Sequence, residues 1–222
     1  MRRQSIIIVL LVLVSTHAFS ATSTPSVYKT TVTKVELCSS SACSDPIVLG
    51  SGSKEFDIAS VSAQADVGTY LNDFTITLGR TYTHVRSTIN ATMTTKGTVD
   101  VSGTTCNTVA SPTVAAASHT ATAKTAPSGT LAEMDWVVPN VNGGGDYANL
   151  TQRYNANGIS KTDGASTFTF TVAIVSPYTP KASDTPKVSI KFDVADTLEA
   201  TTSGGACILY LNPPVQTVNI HR

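Results

Sequence analysis

The chain is short of charge, of aromatic rings and of histidine, and each shortage removes a class of function. Only 14% of the 222 residues are charged, with 15 basic against 15 acidic side chains, so no long-range field draws it to nucleic acid or to anionic lipid. Aromatic residues make up 6%, with one tryptophan. Four histidines are present, and His17 lies in the N-terminal apolar segment, which leaves His84, His119 and His221 for any acid–base or metal chemistry. No Gly-x-Ser-x-Gly elbow and no His-Glu-x-x-His pair occurs. Gly50-Ser51-Gly52-Ser53-Lys54 lacks the spacing of a phosphate loop and reads as a turn between two strands. The expectation is a protein that is not an enzyme and holds no cofactor.

Long apolar runs are also missing, with one exception. Ile6 to Val14 is unbroken Ile, Val and Leu, preceded by Arg2 and Arg3 and followed by Ala18-Phe19-Ser20-Ala21. A bilayer-spanning helix needs about 20 apolar residues, so this pattern is that of a secretory signal peptide over 1–20, cleaved after Ser20. No cysteine follows the cleavage point, so the expectation is a secreted protein, periplasmic or extracellular, without a membrane anchor. Loss of Arg2 and Arg3 leaves 13 basic against 15 acidic residues.

Four cysteines, Cys38, Cys43, Cys106 and Cys207, lie beyond the signal segment. An even count in an oxidising compartment reads as two disulfides. Three pairings are open. The favoured one joins Cys38 to Cys43 across a short loop and Cys106 to Cys207 as a long-range staple, worth about 4 kcal/mol in loop entropy. A zinc site is disfavoured, because no Cys-x-x-Cys pair is present and no histidine lies near a cysteine.

Period-two alternation recurs along the chain and helical periodicity is nearly absent, which sets the class as all-β. Strands are expected at Thr31 to Leu37, at Ile47-Val48-Leu49 and Lys54 to Ile58 on either side of the Gly50–Ser53 turn, and at Phe74 to Leu78. A long one follows from Tyr82 to Lys96, with Val85, Ile89, Ala91 and Met93 on one face. Others follow at Phe168 to Ile174, Val188 to Val194 and Cys207 to Leu211, the last stopped by Pro213-Pro214. Alternation on one side only implies that each sheet buries one face, the condition for an antiparallel β-sandwich. Residues 21–222 read as a single such domain. Between about 104 and 166 the pattern gives way to Ala115-Ala116-Ala117, Pro127-Ser128-Gly129 and Asn142-Gly143-Gly144-Gly145, a loop-rich insertion. Short helices can form there over Leu131 to Trp136 or Tyr147 to Tyr154.

The order Thr31 to Leu37, Phe56-Asp57-Ile58, then Leu78-Gly79-Arg80-Thr81-Tyr82-Thr83-His84-Val85-Arg86 resembles a family of uncharacterised exported bacterial and archaeal β-domains with a prealbumin-like (transthyretin-like) fold. Ile190-Lys191-Phe192-Asp193 and Leu209-Tyr210-Leu211-Asn212-Pro213-Pro214-Val215 look like that family's closing segments. The resemblance implies a prealbumin-like or immunoglobulin-like sandwich and supplies no activity. Gly79 also suits a tight turn, with Tyr82 packing its ring while its hydroxyl caps a neighbouring loop.

Two ligand sites are conceivable from residue type. Asn140, Asn142, Asp146 and Asn149 surround the triple glycine and offer oxygen donors to calcium, but with one carboxylate among them a Gly/Asn turn is the plainer reading. Trp136, Tyr147 and Tyr154 could form a platform on which a sugar ring stacks, or could fill a small cluster beneath the insertion. Asn90 and Asn149 each open a glycosylation sequon. The functional expectation is a structural or binding module. Its alternatives are a fibre subunit assembled by strand addition through residues 21–28 and, last, a hydrolase.

Overall fold

A computed structural model describes residues 20–60, 76–110, 122–141, 150–184 and 187–221. In chain order its elements are β1 (Ser20–Ser23), β2 (Val27–Cys38), β3 (Ile47–Asp57), β4 (Tyr82–Asn90), β5 (Thr92–Lys96), β6 (Thr98–Val101), β7 (Thr104–Asn107), β8 (Thr122–Thr125) and β9 (Met134–Val137). There follow α1 (Leu150–Ala156), β10 (Ile159–Ser160), β11 (Thr167–Tyr178), β12 (Lys187–Asp193), β13 (Leu198–Ser203), β14 (Ala206–Leu211) and β15 (Val215–His221). Strands build a nine-stranded sheet, a four-stranded sheet in the order β1-β13-β14-β8, and the hairpin β6-β7. The architecture is an all-β sandwich.

The large sheet runs β12-β15-β11-β4-β2-β5-β9, with β3 on the far edge of β2 and β10 on β11. Pairing is antiparallel except between β11 and β15, which meet in parallel at Ile174 and Val218. Its buried face includes Val35, Leu37, Val85, Ile89, Phe168, Phe170, Ile190 and Val218. A second core joins the four-stranded sheet to β6-β7 and β9, through Val99, Cys106, Met134, Trp136, Leu198, Cys207 and Leu209. The disulfide Cys106–Cys207 lies inside this second core and Cys38–Cys43 closes the loop after β2, so both pairings are those the spacing favours. Two disulfides are compatible with an oxidising compartment.

Several local expectations are corrected. The segment Gly50–Ser53 is not a turn, because β3 runs unbroken beside β2 from the Leu37–Ile47 pair to the Lys29–Asp57 pair. The glycines serve bulges instead. Register shifts fall between Val32 and Lys34 and between Val35 and Glu36, and Gly52 sits at φ 120°. A bulge adds one residue and so exchanges the faces of a strand. β2 has a bulge of its own against β4, where Val32 and Lys34 face Ile89 and Thr88 with Thr33 as the extra residue. The core side is therefore taken by Tyr28, Thr30 and Val32 in its first half and by Val35 and Leu37 in its second. The long strand expected from Tyr82 to Lys96 breaks at Ala91 into β4 and β5. Leu131 to Trp136 holds no helix, since β9 takes Met134–Val137 into the sheet beside β5, whereas α1 covers part of the second helical segment.

The 104–166 stretch carries β7, β8, β9, α1 and β10 between its loops. Ile76 to Leu78 is not strand, and Phe74 lies outside the described residues. The tail from Val215 becomes β15, an inner strand flanked by β12 and β11. Residues 21–28 are not a loose extension: β1 pairs with β13 of its own chain, from Ser20–Thr201 to Ser23–Leu198, and Val27 begins β2.

Candidate functional site

Ala91 is where the sheet divides. Its amide N–H donates to the Ser166 carbonyl ahead of β11, while its own carbonyl accepts the Val138 N–H just past β9. One strand edge thus feeds two partners, β11 along β4 and β9 along β5. Beside them opens a pocket.

Its wall is almost wholly apolar. Ile89, Ile159, Phe168 and Phe170 come from the first core, Trp136 from the second, and Leu211, Pro213 and Pro214 form a half-exposed rim. The few polar groups are held or buried. The Trp136 Nε1–H donates to Thr95 Oγ1 at 2.8 Å, fixing the indole plane with its ring fully buried. The Tyr28 hydroxyl donates weakly to Met93 Sδ at 3.7 Å, and burial pushes its ionisation well above the ordinary phenol range, so it stays protonated. Thr30 lines the same pocket at 5% exposure, and its hydroxyl has no hydrogen-bond partner among the described residues. A buried hydroxyl left unpaired costs about 1–3 kcal/mol, which a bound acceptor or donor would recover.

A second cavity adjoins the first and shares Pro139, Tyr154, Leu211, Asn212 and Pro213 with it. This one holds charged groups. Arg153 on α1 donates to Asn212 Oδ1 at 3.1 Å, and Asn212 Nδ2 in turn donates to Glu199 Oε2 at 3.1 Å. Tyr154, one helix position on from Arg153, is buried in the opposite direction, and its hydroxyl is tied to the Pro139 carbonyl at 2.9 Å.

No family model, curated protein or solved structure matches the chain. Its reading therefore rests on the residues alone.

Of the expected stacking residues, Trp136 and Tyr154 do converge, on the apolar pocket, and Tyr147 lies outside the described residues. A surface platform for a sugar is not what they form, because the Trp136 ring has no exposed face. Of the calcium donors only Asn140 is described. Its Oδ1 accepts from Lys161 Nζ at 2.6 Å and from the Gly164 N–H at 3.1 Å, a loop clamp with a cation already on the oxygen. Asn142, Asp146 and Asn149 lie outside the described residues, as does His119. Among the described residues no cluster of three or more His, Cys, Asp and Glu is placed to hold a metal.

His84 Nδ1 meets Thr83 Oγ1 at 2.8 Å and His221 Nε2 meets Ser189 Oγ at 3.2 Å. Among the described residues no carboxylate orients either ring, so neither pair has the third member of a hydrolytic triad. Tyr82 buries its ring as expected, beneath the Arg80 guanidinium at 5.4 Å from the ring centroid, but its hydroxyl caps no loop among the described residues.

One cluster escapes sequence reading. Glu36 points to the face opposite Val35, is 2% exposed, and binds Arg86 Nε at 2.8 Å and Lys34 Nζ at 3.0 Å. Desolvation would raise its carboxyl, but hydrogen bonds from Arg86 and Lys34 outweigh it and hold it below the usual carboxylate range. Its Arg86 partner comes from the cross-strand pair Glu36–Arg86, which only the register reveals.

Proposed function

We propose that the chain is an exported, non-enzymatic β-sandwich module, akin to the prealbumin-like exported domains its motifs resemble, that binds a small apolar molecule. The N-terminal apolar run and the two disulfides support export. The observation that carries the binding reading is the apolar pocket at the Ala91 fork, with the unpartnered Thr30 hydroxyl in its wall. Ligand sites are concave, mostly apolar and equipped with a few polar groups, and this pocket meets each condition. A structural domain of this size gains nothing from a void between its two cores, because each lost packing contact costs stability.

Titration of the exported protein with the neutral fluorophore phenylnaphthylamine tests the reading. Emission is expected to rise and saturate at one dye per chain. Val137→Phe, which places a ring in the pocket from a half-exposed strand position, should weaken binding about tenfold or more, a change of about 1.4 kcal/mol. A wild-type protein that gives no saturable signal removes the binding reading.

A further inference from the structure

We propose that the natural ligand is a single-chain amphiphile with a carboxylate head, its hydrocarbon tail in the apolar pocket and its head on Arg153 in the adjoining cavity. This rests on the binding reading above. Three observations select that ligand over a wholly apolar one. First, the two cavities are neighbours that share Tyr154 and Asn212 in their walls. Second, the charged groups are confined to one of them. Phe168 and Phe170 belong to the apolar wall alone, and Arg153, Asn157 and Glu199 to the second cavity alone.

Third, the charges in that second cavity are arranged asymmetrically. Glu199 is turned onto the Asn212 amide, and that amide presents its oxygen to Arg153. Among the described residues Arg153 makes no ion pair. A guanidinium carries five N–H donors in a fixed fork, and the Asn212 oxygen engages one nitrogen, which leaves donors to meet a carboxylate. Asn212 also separates Glu199 from the guanidinium, so the positive end is the one offered to an incoming head group. The tail supplies affinity through burial, and Arg153 supplies orientation by keeping the head where its charge is matched.

Binding to the exported protein would be measured by titration calorimetry with three probes of equal chain length: dodecanoate, dodecanol and dodecyltrimethylammonium. Dodecanoate is expected to bind about tenfold tighter than dodecanol, and the cationic amphiphile least well. Arg153→Gln should bring dodecanoate to the level of dodecanol while leaving dodecanol unchanged. Arg153 is exposed on a surface helix, so this variant is expected to fold, which circular dichroism would verify. Equal binding of dodecanoate and dodecanol, unaffected by Arg153→Gln, would overturn the carboxylate assignment and leave the pocket reading standing. Tightest binding of the cationic probe would overturn it in favour of Glu199. No binding of any probe would remove the pocket reading as well.

Discussion

Replacing Cys106 and Cys207 together by alanine severs a link between positions 101 residues apart. In the chain-entropy account the released loop regains about 16 cal/mol/K, or about 4.7 kcal/mol at 25 °C, as unfolded-state freedom. The same account gives about 2 kcal/mol for Cys38–Cys43, whose sequence separation is 5. The cysteines of both pairs are buried, so loss of the sulfurs adds a similar packing penalty of about 1 kcal/mol to each variant. The expected loss for Cys106→Ala/Cys207→Ala thus exceeds that for Cys38→Ala/Cys43→Ala by about 2.7 kcal/mol, the difference in loop entropy. Urea unfolding followed through Trp136 fluorescence measures both. The long-range variant should also show a larger dependence on urea, because its unfolded chain is no longer held compact. A loss equal to or smaller than that of the short-loop variant would refute the reasoning. If the long-range variant is already unfolded without urea, the same comparison is made in added sucrose.

Other perturbations probe the remaining parts of the fold. Trp136→Phe strands the Thr95 hydroxyl in the core and should cost about 1–3 kcal/mol in urea melts, with dye binding to the pocket weakened in parallel. The Glu36 carboxyl is held below its unfolded value, so its stabilisation is present above the ordinary carboxylate range and is lost as pH falls through the lowered folded value. Glu36→Gln should flatten that part of the acid unfolding curve and cost about 2 kcal/mol at pH 7, tempered by the partial exposure of Arg86 and Lys34; an unchanged acid curve would contradict this. Gly158→Ala should destabilise by about 3 kcal/mol or more in thermal melts, since φ is +68° and a Cβ there runs into the Thr171 carbonyl oxygen that lies beside it. Deleting residues 21–23 from the exported protein bares the edge of β13, and size-exclusion chromatography should then show concentration-dependent association; a monomer at all concentrations would end the case for fibre-like strand addition.

The strands most legible from the residues are those with uninterrupted alternation and a clear stop, such as β12, and β14 ahead of Pro213-Pro214. Legibility fell where a bulge exchanged faces. The residues of β2 carry no mark that Thr33 reverses which side is buried, and the glycines of β3 look the same in a turn as in a bulged strand. β15 was missed for another reason: Val218 and Ile220 do alternate with Thr217, Asn219 and His221, but two apolar residues are too few to mark a buried strand, and only flanking partners on both edges make it an inner one. Trp136 and Tyr154 were visible as aromatic residues with a possible shared task. Arg153, Asn212 and Thr30 were not, because no local pattern sets a surface arginine, an asparagine before two prolines or a strand threonine apart from the others of their kind.

The amino-acid sequence by itself determined the class of fold, because alternation is a property of neighbouring residues, and limited the four cysteines to three pairings, among which the structure decided. Tertiary structure alone decided the register of β2, the fork at Ala91 and the cavities beside it. Those depend on which strand edges meet, and that geometry is set between residues far apart in the sequence.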